Sequence, residues 1–222
     1  MKKVVNWFFG FIVTLSSLYA MQLYASDSAD SPLKKLKTGP ESDLYVSDAA
    51  FYRSKGHQAV VFVPGYIFNK ESWLFLAKHF QKLGVSSLSV NGNSTASVKA
   101  AVKFLRDEGY TDIALVGGSM GAVAVMSAVA VMSAVEGGVE SVSKIVLLSP
   151  VKGTPINNSS IKKLFVASAE EKVHPVVEQL FDTAGQPKSM KTLPGSSHAQ
   201  FIFYSPQRQQ LIKLVTDFII SD

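Results

Sequence analysis

The chain has 222 residues, of which 47% are hydrophobic and 18% charged, a balance that suits one globular domain with a sizeable core. It contains no cysteine, which excludes disulfides, thiolate catalysis and cysteine-ligated metal sites. The formal net charge of +5 falls to +3 without Lys2 and Lys3 of an N-terminal leader, and no Lys/Arg cluster is interleaved with aromatic residues. The sequence therefore lacks the charge pattern of a nucleic-acid-binding protein.

Residues 1–25 have the pattern of a signal peptide. A short basic region is followed by a mostly apolar stretch from Trp7 to Leu15, and small residues close the segment, so we expect export with cleavage near Ala25. An uncleaved membrane anchor is the alternative, because the apolar stretch from Val4 to Leu23 approaches the ~20 residues that span a bilayer.

Residues 26–42 are polar and contain two prolines and a glycine, which predicts a flexible lead-in to a domain over residues 43–222. A basic patch in this segment offers a weak contact with an anionic membrane surface, although a solvated patch is the simpler interpretation. The patch consists of Lys34, Lys35 and Lys37.

Strand-forming and helix-forming segments alternate along the domain. Residues 43–52 are expected to hold a first strand or two, and apolar runs predict strands at residues 57–63, 85–90, 113–116, 143–149, 163–168 and 189–193. Helical spacing of apolar residues predicts helices that begin at Asn69, Ser94, Ser119, Pro175 and Ser205. This order implies an α/β fold with a mostly parallel sheet, helices on both faces, and a ligand crevice at the carboxyl ends of the strands.

One predicted helix contains an internal duplication. The sequence Val-Ala-Val-Met-Ser-Ala occurs at residues 123–128 and again at residues 129–134. Because six residues rotate a helix by roughly 600°, the two copies face different directions. The segment is then apolar nearly all round, which predicts a buried core helix.

Gly117, Ser119 and Gly121 form the pattern G-x-S-x-G where the strand 113–116 meets this helix. In a strand–turn–helix setting the pattern is a nucleophile elbow, in which the glycines allow a tight turn that holds the serine in a strained conformation. The helix that starts at the serine directs its unpaired N–H groups and positive dipole end to where an oxyanion would form.

With this elbow the chain resembles the α/β-hydrolase superfamily, specifically its small members without a large lid, over roughly the whole chain after the leader. The connection from Ser149 to Lys163 is too short for a sizeable cap domain. The resemblance implies an exported serine hydrolase that cleaves a small-molecule carboxylic ester or related acyl bond through an acyl-enzyme on Ser119, without a cofactor. Acyl transfer and peptide cleavage use the same acyl-enzyme and stay open.

The resemblance also implies a catalytic base in the loop between the last strand and the last helix, where His198 lies. His174 is the alternative, because it follows the end of the strand 163–168. The remaining histidines are poor candidates, since His57 lies at the amino end of a strand and His79 lies on a helix.

A carboxylate is expected between the serine and the histidine in the chain, to orient the base and stabilise its charged form. In similar hydrolases the acid falls about three residues beyond the small residue that closes the strand. That position is Glu171, with Glu170 as the second choice, although the superfamily more often has aspartate there. The simpler interpretation treats both glutamates as solvated charges ahead of a helix.

Two backbone N–H groups are expected to form the oxyanion hole. One belongs to Met120, directly after the nucleophile, and the other to Tyr66, in the loop after the strand 57–63. This loop reads Pro64-Gly65-Tyr66, where many relatives have a His-Gly pair.

Two other classes of function are not supported by the sequence. It has no H-E-x-x-H or similar metal-ligand spacing, and the glycines around Ser119 do not form a dinucleotide-binding fingerprint. A catalytically silent α/β-hydrolase fold that only binds a ligand is the remaining alternative to an enzyme. The oligomeric state is not predicted.

Overall fold

The computed structural model describes residues 49–135 and 137–221. The predicted signal peptide (1–25), the lead-in (26–42) with Lys34, Lys35 and Lys37, and the first six residues of the predicted domain lie outside this part of the chain.

Strands and helices alternate through the described residues. The strands are β1 Ala50–Tyr52, β2 Gln58–Val63, β3 Ser86–Ser89, β4 Asp112–Gly118, β5 Val142–Leu148, β6 Lys162–Ser168 and β7 Lys188–Leu193. The α-helices are α1 Leu74–Lys82, α2 Thr95–Asp107, α3 Met120–Ser133, α4 His174–Thr183 and α5 Arg208–Ile220. Two 3₁₀ helices, η1 Lys70–Trp73 and η2 Ala199–Tyr204, precede α1 and α5.

The strands form one sheet in the order β1-β3-β2-β4-β5-β6-β7. All neighbours are parallel except β1, which pairs antiparallel with β3. The predicted mostly parallel sheet is therefore confirmed. After β2 the chain forms β3 on one side of β2, and it then crosses over to form β4 on the other side. The loops after β2 and β4 therefore run in opposite directions. Such a change of direction leaves a crevice at the carboxyl ends of the strands.

Helices cover both faces of the sheet, as predicted. Alternate residues of β2 divide between the two layers: Val61 packs in the cluster with α2, α3 and α4, whereas Val60 and Phe62 pack in the cluster with α1 and α5. This alternation follows from the two-residue period of a strand, and it explains why the central strands are apolar along their whole length.

Helix α3 differs from the prediction of a helix buried nearly all round. Its sheet-facing residues are buried, but Val123 and Ser127 are only partly covered, and Ala130 and Val131 are exposed. These positions recur at helical spacing and form one outward stripe. The stripe exists because the sheet and the neighbouring helix cover α3 from beneath and from one side, whereas its outer side faces solvent.

The last helix begins three residues later than predicted. Ser205 Oγ accepts a hydrogen bond from the Gln207 N–H at 3.1 Å, and the Arg208 N–H donates to the Ser205 carbonyl at 3.1 Å. The serine side chain thus closes a turn of its own, and regular α-helical geometry starts only at Arg208. The 3₁₀ helix η2 before this turn was not predicted.

Leu83 falls at helical spacing with Leu76 and Phe80 in the sequence, but it is exposed. Helix α1 ends at Lys82, so Leu83 has left the helical register that buries Leu76 and Phe80.

In the part of the chain that the structure describes, no helix combines the length and the hydropathy that crossing a membrane requires.

Candidate active site

Ser119 occupies a sharp turn between β4 and α3. Its backbone has φ 52° and ψ −115°, a sparsely populated conformation for a residue with a side chain. A Cβ at Gly117 would lie 2.5 Å from the Gly121 carbonyl oxygen, and a Cβ at Gly121 would lie 2.3 Å from the Val63 carbonyl oxygen. The two glycines therefore provide space for close backbone approach, while Ser119 itself carries the strained conformation.

His198 lies between the serine and the predicted acid. Its Nε2 is 2.9 Å from Ser119 Oγ, and its Nδ1 is 2.7 Å from Glu171 Oε2. With the carboxylate accepting the proton of Nδ1, Nε2 is left to accept the hydroxyl proton of Ser119. The structure thus brings together the three side chains that the sequence singled out.

Glu171 is held on both of its oxygens. While Oε2 faces His198, Oε1 accepts hydrogen bonds from the Ser168 N–H at 2.8 Å and from the Ser149 hydroxyl at 2.7 Å. Its side chain is only 2% exposed, whereas that of His198 is 34% exposed. Glu170, the second choice for the acid, is exposed, and only its backbone N–H is engaged, by the Gly195 carbonyl at 2.9 Å.

Ser149 is a buried residue of the site that sequence reasoning missed. It follows β5 with φ 45°, and besides donating to Glu171 its Oγ accepts the Ala199 N–H at 3.0 Å. Ala199 also has a positive φ, of 49°, directly after His198. One serine hydroxyl therefore connects the loop of the acid to the loop of the base. Its place at the carboxyl end of a buried strand was the only signal in the sequence.

Gln200 is the second residue that sequence reasoning missed. Its buried side chain accepts the Gly65 N–H on Oε1 at 2.6 Å and donates from Nε2 to Ser72 Oγ at 2.7 Å. Gln200 thereby connects the segment that follows His198 to the loop after β2. A single polar residue within the apolar run Ala199–Tyr204 was the available signal.

The two predicted oxyanion donors belong to the elbow and to the loop after β2. Met120 is the first residue of α3, so its N–H has no acceptor within the helix. A Cβ at Gly65 would lie 3.4 Å from the Cβ of Ser119, which places the loop after β2 against the serine. Because Gln200 engages the Gly65 N–H, the N–H of Tyr66 is the next donor along this loop.

The other histidines have different partners. His174, the alternative base, has Nε2 3.2 Å from Thr192 Oγ1 and Nδ1 3.6 Å from a carboxylate oxygen of Glu178. His79 Nε2 is 3.0 Å from Thr216 Oγ1, and His57 is exposed just before β2. Within the described residues, no group of three or more His, Asp or Glu side chains is arranged to hold a metal ion.

The arrangement of strands and helices is similar to that of solved hydrolase structures. An esterase from Exiguobacterium antarcticum has a TM-score of 0.60 at 11% identity, over 78% of this chain and 96% of that chain. For a monoacylglycerol lipase from Paleococcus ferrophilus the TM-score is 0.62 at 12% identity, over 78% and 97%. For Est1E from Butyrivibrio proteoclasticus it is 0.60 at 14% identity, over 78% and 92%. The chain has the α/β-hydrolase fold.

This assignment rests on structure, because no protein-family model matches the sequence and no curated protein is detectably similar to it. At these low identities the solved structures establish the α/β-hydrolase fold and leave the activity to be argued from the site. The fold carries no large cap within the described residues, since the connection from β5 to β6 contains neither a helix nor a strand.

Proposed function

We propose that the protein is an exported serine hydrolase that cleaves a carboxylic ester or a related acyl bond through an acyl-enzyme on Ser119. The observation that carries the proposal is the continuous chain of hydrogen-bond distances from Ser119 through His198 to the buried carboxylate of Glu171. This is the geometry in which a base can activate a serine, because each group lies within reach of the next.

In the first half-reaction His198 Nε2 takes the hydroxyl proton while Ser119 Oγ attacks the acyl carbon. The N–H groups of Met120 and Tyr66 would stabilise the negative oxygen of the tetrahedral intermediate. Glu171 stabilises the imidazolium that forms and keeps Nε2 directed at the serine. The intermediate collapses when the imidazolium protonates the leaving alcohol, and the acyl group remains on Ser119.

In the second half-reaction water takes the place of the alcohol. His198 accepts a proton from the water, the hydroxide oxygen attacks the acyl carbon, and Ser119 Oγ leaves as it regains its proton. The partial exposure of His198 and the short loop between β5 and β6 favour hydrolysis, because water has direct access to the base. The similar structures include an esterase and a monoacylglycerol lipase, which agrees with this class of reaction.

The test is turnover of p-nitrophenyl esters together with covalent labelling by a fluorophosphonate. We expect Ser119→Ala and His198→Ala to lower kcat by about 10⁴–10⁶-fold, because members of such a triad act as a unit. Glu171→Gln should also lower kcat strongly, whereas Glu170→Gln, the matched control one residue earlier, should leave kcat unchanged.

Different results identify different errors. Labelling of Ser119 without ester turnover would redirect the proposal to acyl transfer or peptide cleavage. The absence of both labelling and turnover would favour a catalytically silent binding protein. Equal losses in Glu170→Gln and Glu171→Gln would contradict the assignment of the acid.

A further inference from the structure

Exposed apolar side chains are concentrated beside the candidate active site. Among the described residues eight large hydrophobic side chains are exposed, and four of them lie on the segments 65–68 and 199–204. These four are Tyr66 at 83%, Ile67 at 66%, Phe201 at 40% and Tyr204 at 40% exposed. Such clustering on two short segments is unlike the scattered single residues of an ordinary surface.

The two segments are fixed to each other and to the nucleophile. The Gly65 N–H donates to the side chain of Gln200 at 2.6 Å, and the rings of Phe68 and Phe201 meet edge to face with centroids 5.0 Å apart. We call Tyr66, Ile67, Phe68 and Phe201 the apolar rim. The rim begins with the predicted oxyanion donor Tyr66 and ends three residues after His198.

The apolar rim differs in character from two other loops at the carboxyl ends of the strands. After the buried Val90, the loop that follows β3 reads Asn91-Gly92-Asn93 up to the cap Ser94, and the loop after β7 reads Pro194-Gly195-Ser196-Ser197. A substrate at the serine is therefore offered an aromatic surface by the rim, whereas these two loops offer polar groups.

The chemistry determines which part of a substrate faces the rim. The leaving group must stay near Nε2 of His198, which protonates it, and the carbonyl oxygen must face the N–H groups of Met120 and Tyr66. The acyl group takes the remaining direction, and the loop after β2, where Ile67 and Phe68 follow Tyr66, lies against the serine.

We propose that the apolar rim binds the acyl chain of the substrate, so that the preferred substrates are esters of apolar acids of medium chain length. This proposal rests on the proposed function and adds the substrate class to it. Full burial of a methylene group strengthens binding about fourfold. Because the rim covers an acyl chain from one side only, we expect kcat/KM to rise about twofold per methylene.

The experiment compares p-nitrophenyl acetate, butyrate, hexanoate and octanoate, all below their aggregation concentrations, in the wild type and in Phe68→Ser and Phe201→Ser. We expect each variant to lose more kcat/KM on octanoate than on acetate, by about fivefold or more. Leu83→Ser removes an exposed hydrophobic side chain on the far end of α1 and should leave the chain-length dependence unchanged.

A second readout keeps the proposal testable without ester turnover. The wild type should be labelled faster by an octyl than by an ethyl fluorophosphonate, and Phe201→Ser should reduce this preference; thermal unfolding checks that each variant is folded.

Equal chain-length dependence in wild type and variants would overturn the rim proposal while leaving Ser119 as the nucleophile. Loss of binding to phosphatidylglycerol vesicles in Phe201→Ser, with unchanged rates on monomeric esters, would overturn it in favour of a membrane-docking surface. Absence of all labelling would instead contradict the proposed function.

Discussion

At the scale of single residues, the site depends on one buried carboxylate with three hydrogen-bond donors. The Ser168 N–H and the Ser149 hydroxyl fix one oxygen of Glu171, so the other oxygen can face only His198. The three main side chains could be singled out because the G-x-S-x-G pattern marks Ser119 and the resemblance to the α/β-hydrolases points to the positions of His198 and Glu171. Ser149 and Gln200 belong to no such pattern, and their roles follow from contacts with Ala199 and Gly65 that only the folded chain brings together.

Ser149 provides the residue-scale prediction. Ser149→Ala and Ser149→Gly both remove the hydroxyl that orients Glu171, and each should lower kcat about tenfold with KM nearly unchanged. The two variants should differ in stability, because alanine at φ 45° keeps the backbone strain that glycine relieves. We expect Ser149→Gly to be about 1 kcal/mol more stable than Ser149→Ala in urea unfolding.

A double-mutant cycle separates positioning from general destabilisation. Because Ser149 acts through Glu171, adding Ser149→Ala to Glu171→Gln should lower kcat little beyond the loss from Glu171→Gln alone. Additive losses would show that Ser149 does not act through this carboxylate.

At the scale of elements, most strands and helices follow from local patterns, and the exceptions have local causes. The predicted strand 57–63 is β2 within one residue, and Ser94 caps α2 by accepting the Ser97 N–H at 3.1 Å. The start of α5 was misplaced because a serine side chain can close a turn in place of a helix. The exposed stripe of α3 was missed because composition shows how apolar a helix is but not how many sides its neighbours cover.

The packing of α3 against β2 provides the element-scale prediction. Gly121→Ala places a methyl group 2.3 Å from the Val63 carbonyl oxygen and 2.5 Å from that of Pro64, so α3 must move away from the loop that carries the proposed oxyanion donor Tyr66. We expect a loss of about 3 kcal/mol in unfolding free energy and a lower kcat in the folded fraction.

Gly153→Ala is a matched control for this substitution. Its added methyl group would lie 2.6 Å from the end of the Met126 side chain, which can shift by rotating. A loss of stability in Gly153→Ala as large as in Gly121→Ala would show that backbone proximity is not the cause.

At the scale of the whole molecule, the carboxyl ends and the amino ends of the strands carry different kinds of residues. The carboxyl edge holds the serine, the histidine and the glutamate, whereas at the amino edge the buried Lys144 amine donates to the Ile219 carbonyl at 2.7 Å and also to the carbonyl of Ser221. The sequence predicted the carboxyl edge as the ligand side. It did not predict the strand order or the antiparallel pairing of β1, because both depend on long-range contacts.

Export is the whole-molecule prediction, and it concerns residues outside the described part of the chain. When the full chain is expressed in a bacterium, mass spectrometry of the protein outside the cytoplasm should show a chain that begins near Ser26. A full-length protein in the membrane fraction would contradict cleavage and support the anchor.

Ser119 and His198, which meet in the folded site, are far apart in the sequence and are therefore synthesised at different times. The elbow is complete 79 residues before the base is added to the chain. At about 5–20 residues per second, Ser119 is part of the growing chain for about 4–16 s before His198 is added. Until then Ser119 has no base, so we expect the unfinished chain to be inert and hydrolysis to begin only after the loop that follows β7 has been synthesised.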